Sequence, residues 1–282
     1  MNTPGPVALL GGHEHRRGTE AIERTLLEQL GVAAPRVAVL PVASAPRQVG
    51  MVAALARTYW AALGTSVRIA TPDGNGSHHA LDVVADADVI VLTGGVPNRL
   101  VSALGASPVW DLIVQRWREG AAIGGSSAGA MSLFAWRLRL YPPNPLALLP
   151  GLGPFDGWIA APHFSRFRAE HWAALVTRRF GDLGVLGIDE ATAIVGRQGR
   201  FDVVGRGTVT VVTGGGLTVH PTGTALDLDI HEPAPKPAGP PWAPTTRAVP
   251  SGRRLGHVVH SGHRVRLGTK GRSTELATAS NP

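Results

Sequence analysis

The sequence predicts an α/β protein, a three-layer αβα arrangement in which helices cover both faces of a mostly parallel sheet. Two observations lead to this fold class. Short, continuous apolar runs alternate with longer segments of helical periodicity, and those helical segments contain no internal proline. A run that is apolar at every position is typical of a strand buried on both faces. Because ligands of such sheets bind beyond the carboxyl ends of the strands, we expect a functional site in the loops that follow the strands.

The elements alternate through the first half of the chain, and the pattern changes near residue 193. Strands are predicted at residues 7–10, 36–41, 66–69, 88–93 and 121–125, and helices at 19–30, 48–63 and 108–118. Four β-type runs separated by glycines, at 193–195, 201–204, 208–212 and 217–220, predict a C-terminal β-rich segment that forms an antiparallel meander.

The positive charge is concentrated in the C-terminal fifth of the chain. The formal net charge of the 282 residues is +7, yet residues 233–282 carry eight basic side chains and one acidic one, and residues 1–232 carry 19 of each. Seven prolines in residues 233–250 favour an extended linker. We therefore predict one αβα domain over residues 1–232, which includes the meander at 193–232, and a Pro-rich, basic extension over residues 233–282.

Composition excludes several classes of protein. With no cysteine, the chain has no disulfide scaffold, no thiol nucleophile and no cysteine-ligated zinc or iron–sulfur site, and we expect no cofactor. His257, His260 and His263 form an H-x-x-H-x-x-H pattern, but this spacing on a strand alternates between faces, so a solvated segment is favoured over a metal site. The basic extension lacks the interleaved aromatic residues of a single-strand nucleic-acid platform, so nucleic acid is not an expected partner.

No segment of the sequence predicts a membrane protein. No apolar run approaches the roughly 20 residues that a membrane-spanning helix needs. The first 12 residues have no positive charge ahead of a short apolar stretch and lack the length of a secretory signal, so we expect a cytoplasmic protein.

A candidate nucleophile, Ser127, follows the predicted strand at 121–125 and precedes helix-compatible residues 131–138. Residues 125–129 read Gly-Ser-Ser-Ala-Gly and fit the G-x-S-x-G pattern, in which a strained strand-to-helix turn exposes the serine at its apex. The helix N-terminus favours developing negative charge, and the N–H of Ala128 can donate to an oxyanion. In so Gly-rich a chain the pattern alone also fits an ordinary Gly-rich turn, and its place between strand and helix favours the nucleophile.

A serine nucleophile needs a base, and the base needs an orienting acid. His163 ends one apolar run, and Asp189 and Glu190 end another. We expect three strand ends at one edge of the same parallel sheet to bring Ser127, His163 and either acid together, although each residue alone also fits a surface role. Asp156, the only acid between Ser127 and His163, is the fallback for the third member.

Five segments of the chain resemble the serine peptidases that include cyanophycinase and the aspartyl dipeptidase called peptidase E. These segments are Leu-Gly-Gly at 10–12, Leu-Thr-Gly-Gly at 92–95, Gly-Ser-Ser-Ala-Gly-Ala at 125–130, Pro-His-Phe at 162–164 and Gly-Ile-Asp-Glu-Ala-Thr-Ala at 187–193. The similarity runs from about residue 7 to residue 229. It implies a flavodoxin-like fold of the class I glutamine-amidotransferase type. Residues 256–267 also resemble the final strand of some cyanophycinases, which would place them in the fold.

The resemblance implies roles for individual residues. Ser127 would be the nucleophile, His163 the base and Glu190 the orienting acid, as in the cyanophycinase branch. The N–H of Gly95 would join that of Ala128 in the oxyanion hole. Residues 1–232 would then form a serine hydrolase domain.

The departures from the family concern the substrate. Val-Pro-Asn at 96–98 follows the second double glycine where cyanophycinases tend to carry a glutamine, and the Pro-His pair at 162–163 is closer to the dipeptidase branch. A pocket for an acidic residue needs cations, because arginine binds carboxylates with two parallel hydrogen bonds.

The candidate substrate-binding residues lie next to the motif segments. They are Asn98, Arg99, Arg166 and Arg168, although solvated arginines on a helix face fit the sequence equally well. His13, Glu14 and His15 follow the first double glycine and could face the same cleft.

We therefore expect a metal-independent serine peptidase that hydrolyses a peptide or isopeptide bond in a peptide or small-molecule substrate. A small-molecule esterase or amidase with the same triad and a non-catalytic binding module are the alternatives. The identity of the substrate, cyanophycin, a β-aspartyl dipeptide or an Asp-X dipeptide, is left open by the sequence, and so is a homodimer.

Overall fold

The computed structural model describes residues 3–72, 78–139, 147–166, 180, 182–214 and 216–230. The strands of this part of the chain are β1 (Val7–Leu10), β2 (Arg36–Leu40), β3 (Ser66–Ile69), β4 (Val89–Leu92), β5 (Ala122–Ser126), β6 (Trp136–Leu138), β7 (Leu148–Pro150), β8 (Trp158–Pro162), β9 (Gly184–Ile188), β10 (Thr192–Arg197), β11 (Arg200–Gly205), β12 (Thr208–Thr213), β13 (Gly216–Pro221) and β14 (Ala225–Asp227). The helices are α1 (Glu20–Leu30), α2 (Pro46–Ala62), α3 (His78–Ala85), α4 (Pro97–Leu104), α5 (Pro108–Arg118) and α6 (Ala128–Ser132), with a 3-10 helix at Phe164–Arg166.

Eight strands form one mixed sheet in the order β14-β11-β10-β1-β5-β4-β2-β3. Strands β1, β5, β4, β2 and β3 run parallel, whereas β10, β11 and β14 extend the sheet beyond β1 in antiparallel pairs. The five strands predicted from the first half of the sequence are these parallel strands, each within one residue of its predicted bounds. The α/β class is therefore confirmed, and the sheet is more mixed than predicted.

Helices cover both faces of the parallel strands. On one face, Leu10 of β1 packs in a core with Ile22 of α1 and Trp60 of α2. On the other face, Leu9 belongs to a core that includes Ile113 of α5. Strand β3 is an exception to the prediction of strands buried on both faces, since its residues are exposed or half-buried. Among the described strands, it lies at the edge of the sheet and pairs with β2 alone.

A second sheet of four strands has the order β13-β12-β9-β8. Two expectations from the sequence are corrected here. The strands that precede His163 and Glu190 are β8 and β9, which pair in parallel in this sheet instead of joining β5. The predicted meander is also divided, because β10 and β11 belong to the large sheet while β12 and β13 belong to the second. Apolar runs reveal that a strand is buried, but they do not reveal which sheet it joins.

The helix expected after Ser127 is shorter than the compatible sequence. Helix α6 ends at Ser132, and residues 136–138 form strand β6, which pairs with β7. The N–H of Ala135 already donates to the carbonyl of Phe155 at 2.6 Å. Tertiary pairing of this apolar segment therefore overrides its helical propensity.

The predicted extension at 233–282, its linker, the strand at 256–267 and the three histidines in it lie outside the described residues. The domain boundary at residue 232 stays a prediction for the same reason. In the part of the chain that is described, no helix has the length and hydropathy needed to cross a membrane.

Candidate active site

Ser127 lies in a strained turn between β5 and α6. Its backbone angles are φ 48° and ψ −105°, a conformation that residues other than glycine rarely adopt. The turn fits only small neighbours, because a Cβ at Gly125 would lie 2.7 Å from the N of Ala130 and one at Gly129 would collide with the carbonyl of Leu92. These contacts explain the Gly-x-Ser-x-Gly spacing on physical grounds.

His163 lies beside Ser127 although it comes from the second sheet. The Nε2 of His163 is 3.0 Å from the Oγ of Ser127. The backbone N–H of His163 donates to the carbonyl of Gly11 at 2.9 Å, which fixes the end of β8 to the loop after β1. Gly12 leaves room for the imidazole, since a Cβ at this position would collide with the Cε1 of His163.

Glu190 lies on the far side of the imidazole from Ser127. Its Oε1 is 2.8 Å from the Nδ1 of His163. The same oxygen accepts a hydrogen bond from Arg166, and Oε2 lies 3.6 Å from the Nε2 of His13. Partial burial opposes ionisation of Glu190, but the hydrogen bond from His163 and the charges of His13 and Arg166 outweigh it, so the pKa of Glu190 is lowered.

The other two acids considered from the sequence do not contact His163. The Oδ2 of Asp189 accepts from both the N–H and the hydroxyl of Thr208, each at 2.9 Å. Asp156 accepts at 2.8 Å from the N–H of Gly157, its own neighbour in the chain. Among Asp156, Asp189 and Glu190, the structure therefore brings only Glu190 to the imidazole.

Gly95 lies in the loop after β4 and Ala128 is the first residue of α6, and both segments adjoin Ser127. Gly95 has a φ of 141°, and a Cβ here would collide with the carbonyl of Ala43, so only glycine fits. The preceding Gly94 approaches Ser127 closely enough that a Cβ on it would lie 3.4 Å from the Cβ of Ser127. Within the described ranges, the N–H groups of Gly95 and Ala128 have no hydrogen-bond acceptor.

The residues predicted to bind substrate have different surroundings. Asn98 accepts a hydrogen bond at 2.7 Å from Arg137, a buried arginine that sequence reasoning missed. Arg99 is exposed, and Arg166 contacts Glu190, so Arg166 supports the candidate triad directly. Arg168 lies outside the described residues.

The three residues after the first double glycine point to different places. His13 approaches Glu190, as described above, and Glu14 contacts the two loops around Ser127. His15 is buried, with its Nε2 accepting from the indole N–H of Trp60 at 3.0 Å. Burial lowers the pKa of His15 although the charge of Glu14 opposes the shift.

A serine hydroxyl that meets an imidazole, which in turn meets a carboxylate, is the arrangement of serine hydrolases. The sequence model of peptidase family S51 matches residues 7–204. The chain therefore belongs to peptidase family S51 and is a serine-type peptidase, as the resemblance of its motifs predicted.

Named relatives agree with this family. A cyanophycinase of Trichormus variabilis is 29% identical over 233 residues, which cover 74% of this chain and 74% of the relative. A cyanophycinase of Nostoc sp. is 29% identical over 223 residues with the same coverage. A cyanophycinase of Geminocystis herdmanii is 32% identical over 142 residues, covering 47% of this chain and 52% of the relative.

Solved structures share the fold. The crystal structure of a peptidase from an acI-B1 Actinobacterium matches with a TM-score of 0.70 at 24% identity, covering 80% of this chain and 98% of that chain. A structure of a putative peptidase E from Listeria monocytogenes matches with a TM-score of 0.53 at 17% identity, covering 72% of this chain and 98% of that chain.

Proposed function

We propose that this chain hydrolyses a peptide or isopeptide bond with Ser127 as nucleophile, His163 as base and Glu190 as orienting acid. The observation that carries the proposal is the unbroken series of contacts from Ser127 Oγ to His163 Nε2 at 3.0 Å and from His163 Nδ1 to Glu190 Oε1 at 2.8 Å. Both distances are those of hydrogen bonds that can move a proton from the hydroxyl to the imidazole. As part of this proposal, the fold is of the flavodoxin-like, class I glutamine-amidotransferase type.

In the first half of the reaction, the Oγ of Ser127 attacks the carbonyl carbon and His163 Nε2 takes its proton. The negatively charged Glu190 stabilises the imidazolium through Nδ1–H and holds the ring in one orientation. The N–H groups of Gly95 and Ala128 donate to the oxyanion of the tetrahedral intermediate. His163 then protonates the leaving amine as the carbon–nitrogen bond breaks, which leaves an acyl-enzyme.

In the second half, water attacks the acyl-enzyme. His163 accepts a proton from the water and returns it to the Oγ of Ser127 when the new tetrahedral intermediate collapses. A free carboxylic acid leaves, and the enzyme is restored. Each proton therefore passes through one imidazole nitrogen, so the chemistry requires no group beyond those of the chain and water.

For the substrate, we propose a peptide that carries an acidic residue near the scissile bond. The exposed guanidinium of Arg99 follows the loop that holds Gly95, and a carboxylate can accept two parallel hydrogen bonds from it. Arg166 is a weaker candidate for this role because it already contacts Glu190. The relatives named cyanophycinases make cyanophycin one polymer to test, beside β-aspartyl and Asp-X dipeptides.

A fluorophosphonate probe tests the nucleophile without knowledge of the substrate. We expect the wild-type chain to be labelled and Ser127→Ala to remain unlabelled while folding normally. Hydrolysis of cyanophycin and of the two dipeptide classes then identifies the substrate, with Arg99→Gln expected to raise KM for acidic peptides. Labelling that persists in Ser127→Ala would refute the nucleophile, and turnover of simple esters alone would favour the esterase alternative.

A further inference from the structure

The loop after β1 carries a carboxylate, Glu14, that lies between two parts of the proposed site. One part is the Gly94–Gly95 pair, which supplies a proposed oxyanion donor. The other is the Ser126–Ser127 pair, which supplies the nucleophile. In the sequence these pairs are separated by about 30 residues, and Glu14 lies about 80 residues before the first.

Each oxygen of Glu14 accepts one hydrogen bond. Oε1 accepts from the backbone N–H of Gly94 at 2.6 Å, and Oε2 accepts from the hydroxyl of Ser126 at 2.6 Å. Both distances are short, as is typical of hydrogen bonds to an ionised acceptor. A Cβ at Gly94 would lie 2.8 Å from Oε1, so the residue before Gly95 must be glycine for the carboxylate to approach.

The two donors are the immediate neighbours of the reacting groups. The anchored N–H belongs to the peptide plane between Thr93 and Gly94, which directly precedes the plane that carries the N–H of Gly95. The contact therefore fixes the backbone from which the N–H of Gly95 is presented, with only φ and ψ of Gly94 between the two planes. Ser126 is buried and precedes Ser127, whose strained backbone needs support from its surroundings. Glu14 thus connects the donor loop to the nucleophile turn through one rigid group.

We propose that Glu14 is a positioning residue that sets the distance between the N–H of Gly95 and the Oγ of Ser127. The inference rests on the function proposed above, since it concerns the geometry of that reaction. Glu14 does not touch the substrate in this scheme. Glu14 holds the two segments together because one carboxylate oxygen accepts from Gly94 and the other accepts from Ser126.

The fluorophosphonate reaction measures this role directly. The Oγ of Ser127 attacks phosphorus, the phosphorus–fluorine bond breaks, fluoride leaves and His163 takes the hydroxyl proton. The phosphoryl oxygen occupies the position of the oxyanion, so the rate constant of inactivation depends on the N–H of Gly95 and on its distance from Ser127. A positioning effect lowers this rate constant, whereas a binding effect raises the dissociation constant of the probe, so measuring both constants separates the two.

We expect Glu14→Ala to lower the rate constant of inactivation about 10- to 100-fold, the effect of misplacing a reacting group or an oxyanion donor, with little change in probe affinity. Glu14→Gln should restore much of the rate, because its carbonyl can accept from Gly94 while its amide donates to Ser126. A merely structural role would not produce this rescue together with an unchanged affinity. Thermal unfolding of each variant shows the fraction that is folded.

Ser126→Ala tests the second contact, and Ser132, the last residue of α6, provides a matched control. It should slow inactivation less than Glu14→Ala, since the bond to Gly94 remains. Ser132→Ala removes another buried hydroxyl, one without a partner in the described part of the chain, and should leave the rate unchanged. Glu28→Gln, which removes an exposed carboxylate, is the control for the loss of one negative charge from the protein.

Two results would overturn the inference. One is a Glu14→Ala rate within twofold of wild type, and the other is a Glu14→Gln rate no higher than that of Glu14→Ala in folded protein. If Glu14→Ala does not fold, the comparison of Ser126→Ala with Ser132→Ala decides, and equal rates refute the proposal. Failure of the wild type to react, or labelling of Ser127→Ala, would instead refute the proposed function.

Discussion

Replacing Glu190 with glutamine removes the charge beside His163 while keeping nearly the same shape. The amide oxygen can still accept from Nδ1–H, so the change isolates the attraction between the carboxylate and the imidazolium. With the two charge centres about 4 Å apart and an effective dielectric constant of about 20, this attraction is about 4 kcal/mol. The side chains of His163 and Glu190 are 29% and 21% exposed, so solvent screens part of it.

The expected effect is therefore a 100- to 1,000-fold loss of rate, because each 1.36 kcal/mol corresponds to about a factor of ten. The assay is the rate constant of fluorophosphonate inactivation, followed by kcat once a substrate is known. Asp156→Asn is the matched control, since it makes the same carboxylate-to-amide change where the acceptor oxygen for Gly157 is retained. It should stay within about threefold of wild type.

The reverse ranking of these variants would refute the assignment of the acid. The same holds if Glu190→Gln keeps more than a third of the wild-type rate. Either result would mean that the contact between Glu190 and His163 does not contribute to the reaction.

Three further predictions concern the space beside His163, the titration of Glu23 and the buried hydroxyl of Ser132. Gly12→Ala should slow fluorophosphonate labelling about 100-fold, because its Cβ would displace the imidazole of His163. Burial raises the pKa of Glu23 to about 7 although a hydrogen bond from Tyr59 opposes the shift, whereas an unfolded glutamic acid titrates near 4.5. The stabilising contribution of Glu23 to the free energy of unfolding should thus be complete below pH 4.5 and be lost, by about 3 kcal/mol, as pH rises through 7. Glu23→Gln should remove this part of the pH dependence in denaturant titrations. Ser132→Ala should raise the melting temperature by a few degrees, since a buried hydroxyl without a partner costs about 1–3 kcal/mol.

Each of these predictions has an outcome that contradicts it. Labelling of Gly12→Ala at the wild-type rate would mean that the imidazole has room to move. A Glu23→Gln variant whose stability varies with pH as steeply as that of the wild type would assign the titration to other groups. A lower melting temperature for Ser132→Ala would show that its hydroxyl has a partner after all.

The parallel strands and the candidate nucleophile were predictable because their signals are local. An apolar run marks a strand within one or two residues, and the glycines around Ser127 are required by contacts with their near neighbours. The choice between Asp189 and Glu190 was harder, because adjacent residues point to opposite sides of the chain and only the path of the turn decides between them. The resemblance to a known family indicated Glu190, and the structure places Glu190 beside His163.

The second sheet and the contacts of Glu14 and Arg166 could not be predicted from the pattern. Strand pairing depends on which exposed edges meet after collapse, and that information is not contained in the burial of a single run. In the sequence, the charged side chains of Arg166 and Glu14 fit a solvated surface as well as they fit a role in the site. Their roles depend on partners that lie 24 and at least 80 residues away.

Three consecutive carbonyls at the end of β1 act as fixed points for three distant segments. Leu10 accepts the N–H of Ser127, Gly11 that of His163 and Gly12 that of Ala191, at 3.0, 2.9 and 3.1 Å. A change of length in a loop between those segments leaves these three hydrogen bonds in register. One residue inserted between Leu10 and Gly12 would instead displace the segments relative to one another.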